Sequence, residues 1–469
     1  MSRAELRDPL DLPRKPARRR ALFAVGELAL AAAATPALPL AAQPAAPPLR
    51  VMHGFVDHQG ITLWLQGARA DALEVEVRAG EDVAAPPAQT VAVDLSRATD
   101  FTEAVAIAGL EPGGKYSYSV RSRSGGVVAR GSFRTQALWQ WRTEPPTVRI
   151  ATGSCAYLND FRFDRPGKPY GGGEEIFDSI AAASPDLMLW LGDNIYLRES
   201  EYTSREGINR RYRYYRSHPS LAKLWTAAPQ VAIWDDHDFG PDNSDFSYSG
   251  SGWSREMFLR YWPTPYSPPA DGVYGKLLQG DVDIFMLDGR THRMSDRWPE
   301  GPEKTMYGAR QMTWLKTALL YSRAPFKLIA GGSQFFNRVS RAESWANYPT
   351  EQQDFLRFLE RQKIPGVVFL SGDRHFATHL RLQRPGLYPL NEITTSPLTS
   401  GRSSSLNDAE RNNPDLVPGS LLDERNFALI TVTGPREQRA LSLEIRDTRG
   451  NKKWEWTATA AELAQGTRA

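Results

Sequence analysis

Two hydrophobic rhythms divide this chain. Between residues 49 and about 136, apolar and polar residues alternate in short runs, such as Leu63-Trp-Leu-Gln, Leu73-Glu-Val-Glu-Val-Arg, Thr90-Val-Ala-Val and Ala104-Val-Ala-Ile. A period of two predicts strands with one buried face. Turn-forming stretches, among them Glu111-Pro-Gly-Gly and Ser124-Gly-Gly, separate them. From Val148 the rhythm changes: short continuous apolar runs at 148–152, 187–191, 231–234, 282–287, 326–330 and 367–370 alternate with helical spacing at 174–183, 205–227 and 309–318. Strands apolar on both sides predict sheets covered on both faces. After Glu392 alternation returns in Phe427-Ala-Leu-Ile-Thr-Val, Ala440-Leu-Ser-Leu-Glu-Ile and Lys453-Trp-Glu-Trp-Thr, predicted to close the edge of a second sheet. Residues 396–420, rich in Ser, Asn, Pro and Gly, read as a long surface loop. The predicted organisation is a small all-β domain at 47–137, a linker at 138–147 and an α/β domain at 148–469.

The chemistry gathers where the apolar runs stop. Val231-Ala-Ile-Trp breaks into Asp235, Asp236, His237 and Asp238, and the following loop adds Asp242, Asn243 and Asp245. Carboxylates this dense repel one another unless positive charge sits among them. The other runs end in Gly153-Ser-Cys155, in Gly192-Asp-Asn-Ile-Tyr196, in Asp288-Gly-Arg290, in Gly331-Gly-Ser-Gln334 and in Ser371-Gly-Asp-Arg-His375. Polar groups at the carboxyl ends of strands are where α/β folds place their sites. Carboxylates with imidazole, thiol and phenol are a ligand set for a divalent or trivalent ion. Cys155, Asp193, Tyr196, Asp236, His237, Asp373 and His375 are therefore the candidates.

Composition narrows the class. Of 469 residues, 24% are charged and 41% hydrophobic, an ordinary globular balance. Residues 1–46 hold seven Lys/Arg against four Asp/Glu, which accounts for the whole net charge of +3. The near-neutral remainder argues against a dedicated nucleic-acid surface. One cysteine excludes an intramolecular disulfide. Arg18-Arg-Arg20, the alanine-rich stretch 21–34 and small residues up to Pro48 read as an export signal, with arginines before Leu22-Phe23 resembling a twin-arginine leader. That predicts a periplasmic or secreted protein.

Two resemblances sharpen these expectations. Gly109-Leu-Glu-Pro-Gly-Gly-Lys-Tyr-Ser-Tyr-Ser-Val with Arg130-Gly-Ser-Phe-Arg-Thr135 resembles the end of a fibronectin type III sandwich, implying seven or so strands in two sheets. Gly153-Ser-Cys155, Leu191-Gly-Asp-Asn-Ile-Tyr196, Trp234-Asp-Asp-His-Asp238, Leu287-Asp-Gly-Arg290, Gly332-Ser-Gln334 and Ser371-Gly-Asp-Arg-His375 occur in the order seen in PhoD-like alkaline phosphatases. That resemblance implies a four-layer αββα metallophosphoesterase sandwich behind the fibronectin-like domain. It implies iron (Fe3+) with calcium (Ca2+), and hydrolysis of phosphomonoesters and phosphodiesters outside the cytoplasm. By position, Cys155 and Tyr196 would ligate iron and Asp193 would bridge the metals; Asp236, Asp373 and His375 would be further ligands. The family often has Glu where Asp238 stands, and its Asn pair is here Asp242-Asn243, so Asn243 is carried over as a ligand across a departure.

Mechanistic expectations follow from charge. A phosphate ester repels hydroxide, and its transition state spreads charge over equatorial oxygens. Metals neutralise those oxygens and lower the pKa of a bound water. His237 is expected to contact the phosphate or protonate the leaving oxygen, with Asp238 orienting its ring. Arg290 either grips the phosphate or pairs with Asp288. The expected partners are small phosphate esters. Phospholipid head groups are a further candidate, as substrates of a phospholipase-D-type diesterase or as contacts of the basic, aromatic stretch 205–216, although that stretch reads first as a solvated helix packed by its tyrosines. A hydrolase with Cys155 as nucleophile is the rival chemistry, although it leaves Asp193, Asp236 and Asp373 unexplained.

Overall fold

The computed structural model describes residues 49–467 apart from 83, 124–125, 266–271, 341–342 and 403–405, so the leader at 1–46 lies outside the described residues. The alternating region forms seven strands. Leu49–Val56, Ile61–Gly67 and Thr102–Ile107 make a three-stranded antiparallel sheet. Gln89–Leu95, Asp71–Ala79, Lys115–Ser122 and Val127–Arg134 make a four-stranded one. Alternation decides the facing: in Asp71–Ala79, Leu73, Val75 and Val77 are buried, and Glu74 between them is exposed. Those three pack with Leu63, Leu65, Val105 and Val120 between the sheets. Trp64 turns the other way, and its Nε1 donates to the Arg260 carbonyl at 2.7 Å. Asp100 accepts from Asn209 and pairs with Arg205 and Arg260, which fixes this region to the rest of the chain.

Two six-stranded sheets follow. The first runs Gln230–Ile233, Leu187–Leu191, Val148–Gly153, Asn426–Thr433, Ala440–Asp447, Lys452–Thr459. Its first three strands are parallel and the remaining pairs antiparallel. The second runs Gly275–Gln279, Val282–Met286, Phe326–Ala330, Val367–Ser371, Leu390–Thr394, Thr378–Leu382, with the middle four parallel. The alternating runs after Glu392 form the far half of the first of these sheets, with Lys452–Thr459 at its edge. Asn426–Thr433 lies inside the first sheet, against Val148–Gly153, because both of its faces are apolar enough to be covered.

Packing shows how the layers stack. Ile150, Leu189, Leu191, Val231, Ile233 and Ile430 of the first sheet share a core with Ile284, Met286, Leu328 and Val368 of the second. The same core takes in Met312, Leu315, Phe355 and Leu359 from the helices Ala309–Tyr321 and Pro349–Gln362. The intervening residues of the first sheet, Ala151, Met188, Trp190, Ala232 and Trp234, join a separate core with Ile176, Phe177, Ile208, Tyr212 and Phe258 of its own helices. Each buried Leu or Ile stabilises this packing by about 1.5–3 kcal/mol. Both sheets end their parallel strands in polar loops, and those ends meet.

Two stretches are more buried than a surface reading suggests. Several arginines of Arg205–Ser217 are tied inward while Arg213 stays exposed: Arg211 is buried on Glu201 at 2.8 Å, and Arg210 reaches Asp160 at 2.7 Å. Arg216 is buried with its guanidinium 4.1 Å from the centre of the Trp262 ring and 4.5 Å from that of Trp225. The stretch 396–420 is not a surface loop throughout. Ser396, Leu398, Thr399 and Ser400 are fully buried, and Glu410, on the short helix Asp408–Arg411, is buried against Arg374 at 2.8 Å. Small hydroxyl residues read as loop in a sequence, yet they serve equally as buried hydrogen-bonding groups.

Candidate metal centre

Every parallel strand that reaches the meeting edge delivers its polar residues within a few positions of its end. Cys155 follows Val148–Gly153, and Asp193 and Tyr196 follow Leu187–Leu191. Asp235, Asp236 and His237 follow Gln230–Ile233, and Asp373 and His375 follow Val367–Ser371. The backbone turns sharply there: φ is +61° at Cys155, +50° at Asp193, +67° at Asp373 and +57° at His375. A non-glycine residue in this left-handed region costs about 1–3 kcal/mol and persists only where its surroundings hold it. Gly192 and Gly332 make the approach possible, because a Cβ at either position would collide with the Asp235 side chain.

Ligand-type atoms gather in three overlapping groups, each within 4.8 Å: Cys155, Asp193 and His375; Asp193, Asp236 and His237; Asp235, Asp236 and Asp373. Asp193 and Asp236 each belong to two groups, which is the arrangement a bridging carboxylate needs. Asp193 Oδ2 lies 3.4 Å from Cys155 Sγ and 3.1 Å from the Tyr196 hydroxyl, which also meets His375 Nε2 at 3.1 Å. Ser396 accepts from the His375 amide at 2.9 Å and donates to Cys155 Sγ at 3.1 Å, tying two strand ends together. Tyr170 holds the far ring nitrogen of His375, Nδ1, at 3.0 Å.

The fit to cations rests on unmet polar atoms. Asp235 Oδ2, Asp236 Oδ1 and Asp373 Oδ2 are buried with no hydrogen-bond partner. The guanidinium groups nearest the last two stand 3.7 Å away, beyond hydrogen-bonding distance. A buried carboxylate oxygen left without a donor is costly, and a cation is the remedy that this donor set suits. The titration shifts agree. Burial, reinforced by neighbouring carboxylates, pushes Asp193 well above the usual carboxylate range. Burial does the same to Asp373, against the pull of Arg374. Burial raises Asp235 to about 7 despite Arg290 beside it. Asp236 goes the other way: burial raises it, but His237 and Arg290 more than offset this and hold it below the usual range. Burial keeps His375 neutral, down to about 4, which is the ligating form of imidazole.

Several sequence expectations need correction. Arg290 neither points at a phosphate nor pairs through its side chain with Asp288. It is fully buried; Nε donates to Asp235 at 2.6 Å, Nη1 to the Ser244 carbonyl at 3.1 Å, and Nη2 pairs with Glu343. Asp288 receives only the Arg290 backbone amide, at 2.9 Å. The guanidinium thus spends its donors on Asp235, Ser244 and Glu343 inside the protein. Asp238 does not orient His237. Burial pushes its carboxyl up to about 8, and it accepts from the amides of Asn194, Ile195 and Asp235 at 3.1–3.3 Å. The carboxylate beside His237 is Asp242, 3.6 Å from Nε2. Asn243 reaches the site by its backbone amide, which donates to Asp236 at 2.6 Å, while its carboxamide turns to Asp242. Cys155 is fully buried, and burial with Asp193 and Asp373 nearby raises its thiol, the opposite of an activated nucleophile.

Sequence reading missed Asp235, Glu343 and Ser396. Asp235 adjoins Asp236 on a strand end, and adjacent positions at such a turn can both face inward. Glu343 and Ser396 carry no local signal, because they reach the site across 53 and 241 residues to Arg290 and Cys155.

Carboxylate, thiol, phenol and imidazole converging at the carboxyl ends of two stacked sheets define a candidate metalloenzyme centre. The chain belongs to the PhoD-like phosphatase family, whose profile matches residues 150–420. Alkaline phosphatase D of Bacillus subtilis (strain 168) is 24% identical over 376 residues, covering 69% of this chain. The match spans 59% of that protein's length. The structure of PhoD superposes with a TM-score of 0.72 at 19% identity, over 89% of this chain and 90% of that one. Purple acid phosphatase PPD1 from yellow lupin seeds superposes with a TM-score of 0.61 at 12% identity, over 87% of this chain and 74% of that one. Both share the sheet-rich α/β fold.

Proposed function

We propose that this chain is a metal-dependent phosphoric ester hydrolase, acting on monoesters, diesters or both, with an αββα metallophosphoesterase core behind a fibronectin-III-like sandwich. The observation that carries it is the set of three buried, unpartnered carboxylate oxygens, Asp235 Oδ2, Asp236 Oδ1 and Asp373 Oδ2, at converging strand ends. In this reading Cys155, Asp193, Tyr196, Asp236, Asp373 and His375 hold the cations, and Asp235 joins them. Thiolate and phenolate donors favour iron(III), and the oxygen-only side favours calcium. Bound cations would neutralise the phosphate oxygens and make a water nucleophilic at neutral pH.

The protein's own residues do the rest. Arg290 and Glu343 hold Asp235 in place, and Ser396 holds Cys155 and His375. His237 is the solvent-facing member of the cluster, with 22% of its side chain exposed and its ring centre 4.2 Å from that of Tyr196, tilted by 31°. There it donates a proton to the leaving oxygen. The export reading of residues 18–34 places this activity outside the cytoplasm, and among the described residues no helix is long and apolar enough to cross a membrane.

Two measurements test the reading. Purified protein should hydrolyse simple phosphate esters and lose that activity in chelator, with iron and calcium found by elemental analysis. Turnover indifferent to chelator would remove the metal role. His237→Ala should keep its metals and lose a factor of roughly 10²–10⁴ in turnover on an alkyl ester, and less on an activated aryl ester. Loss of metal in that variant would make His237 a ligand; equal losses on both esters would leave it only a phosphate-positioning role.

A further inference from the structure

A cavity of about 660 Å³ adjoins the cluster, and Tyr196 and His237 form the wall they share. The loop carrying Phe161, the segment 165–170, Leu197, Tyr202 and Pro241 line the rest of it, with Tyr170 reaching back to His375. That volume lies in the range that holds an organic ligand, far beyond a phosphate group alone.

The lining says what kind of group fits. The charges largely cancel within the wall: Arg165 pairs with Glu199 at 2.6 Å and Arg198 with Asp164 at 2.7 Å. Lys168 and the Asp242 carboxylate beside His237 remain, one of each sign. The lining's own side chains therefore carry no net charge for a polyanionic leaving group to meet. The rest is ring and proline surface: Tyr157, Phe161, Tyr170, Tyr202, Pro166, Pro169 and Pro241. Phe161 stands 85% exposed at this wall, a large apolar ring held in water with nothing covering it. Phe161 belongs to a lining rich in rings and prolines, and flat rings stack on such a side chain favourably.

We infer that this cavity is the subsite for the alcohol portion of the ester, and that it selects an uncharged ring-bearing alcohol, with Phe161 as the specificity-determining residue. The inference rests on the phosphoester reading of the adjoining cluster. It also gives His237 its direction: the imidazole lies on the boundary between the carboxylates and the cavity, on the side from which the alcohol oxygen departs.

Non-hydrolysable phosphonates separate the subsite from the reaction. Metal-loaded protein is titrated calorimetrically with phenylphosphonate, methylphosphonate and inorganic phosphate. The wild type should bind phenylphosphonate about tenfold more tightly than methylphosphonate, the scale of one aromatic stacking contact. Phe161→Ala should reduce that ratio to about twofold or less, and Phe161→Trp should restore it. Because the ring is on the surface, neither substitution threatens the fold. Equal affinity for the two phosphonates, with phosphate still bound, overturns the subsite and leaves the phosphoester reading intact. A ratio unchanged in Phe161→Ala overturns the role of that residue. Failure of all three ligands to bind overturns the subsite together with the reading beneath it.

Discussion

Two sets of buried carboxylates lie side by side in this molecule and are built on opposite terms. Asp288 accepts from Trp234 Nε1 at 2.7 Å, from the amides of Val273 and Thr291 at 2.9 and 3.0 Å, and from the Thr291 hydroxyl at 2.6 Å. Asp238 is likewise ringed by donors from Asn194, Ile195 and Asp235. A few residues away, Asp235, Asp236 and Asp373 each keep one buried oxygen with no donor at all. Asp235 and Asp236 are as buried as Asp238 and Asp288, so burial does not distinguish a scaffold acid from a candidate ligand. The count of donors does. At these strand ends the oxygens left short are the ones that a bound cation would satisfy.

The comparison breaks most sharply at Asp193. Asp193→Asn removes the charge shared by two of the ligand groups, so turnover should fall by at least about 10³-fold and metal affinity by more than the 10–100-fold typical of losing a group that merely supports a ligand. Native-like stability in the metal-free variant would match the account, because the repulsion goes with the charge. Wild-type turnover and metal content would end the bridging role. Asp288→Ala should fail in the other way. It strands the Trp234, Val273 and Thr291 donors in the interior, at a cost of about 3–5 kcal/mol in chemical denaturation, while the protein that remains folded still binds metal. Metal loss without destabilisation would erase the distinction drawn between the two sets.

Much of the architecture is legible in the sequence because its signals are local. Continuous apolar runs mark the strands buried on both faces, and Cys155, Asp193, Asp236, Asp373 and His375 fall within a few residues of those runs' ends. The residues that hold the centre in place are not local. Glu343 neutralises Arg290 from a loop whose sequence suggests nothing, and Ser396 bridges Cys155 and His375 from a stretch that reads as exposed. Direction is also illegible. Asp235 and Asp236 look interchangeable, and Arg290 at its strand end looks like a phosphate grip until its donors are traced to Asp235, Ser244 and Glu343. Which neighbour a side chain meets is set by tertiary packing, and a one-dimensional pattern does not carry it.

The central claim is that the short-changed carboxylates await cations, and the pH dependence of stability with and without metal tests it most directly. In the metal-free fold Asp193 and Asp373 are pushed well above their ordinary range, and Asp235 is raised to about 7. A raised folded-state value means the fold prefers the protonated acid. Their contribution is therefore full below the unfolded value of about 4 and is lost as pH rises through the folded values. Asp236, shifted downward, opposes this only below about pH 4. Thermal unfolding in excess chelator should show Tm falling steadily from about pH 5 to pH 8, and re-added metal should raise Tm by an amount that grows over the same interval. A Tm that neither responds to chelator nor falls with pH would contradict the account.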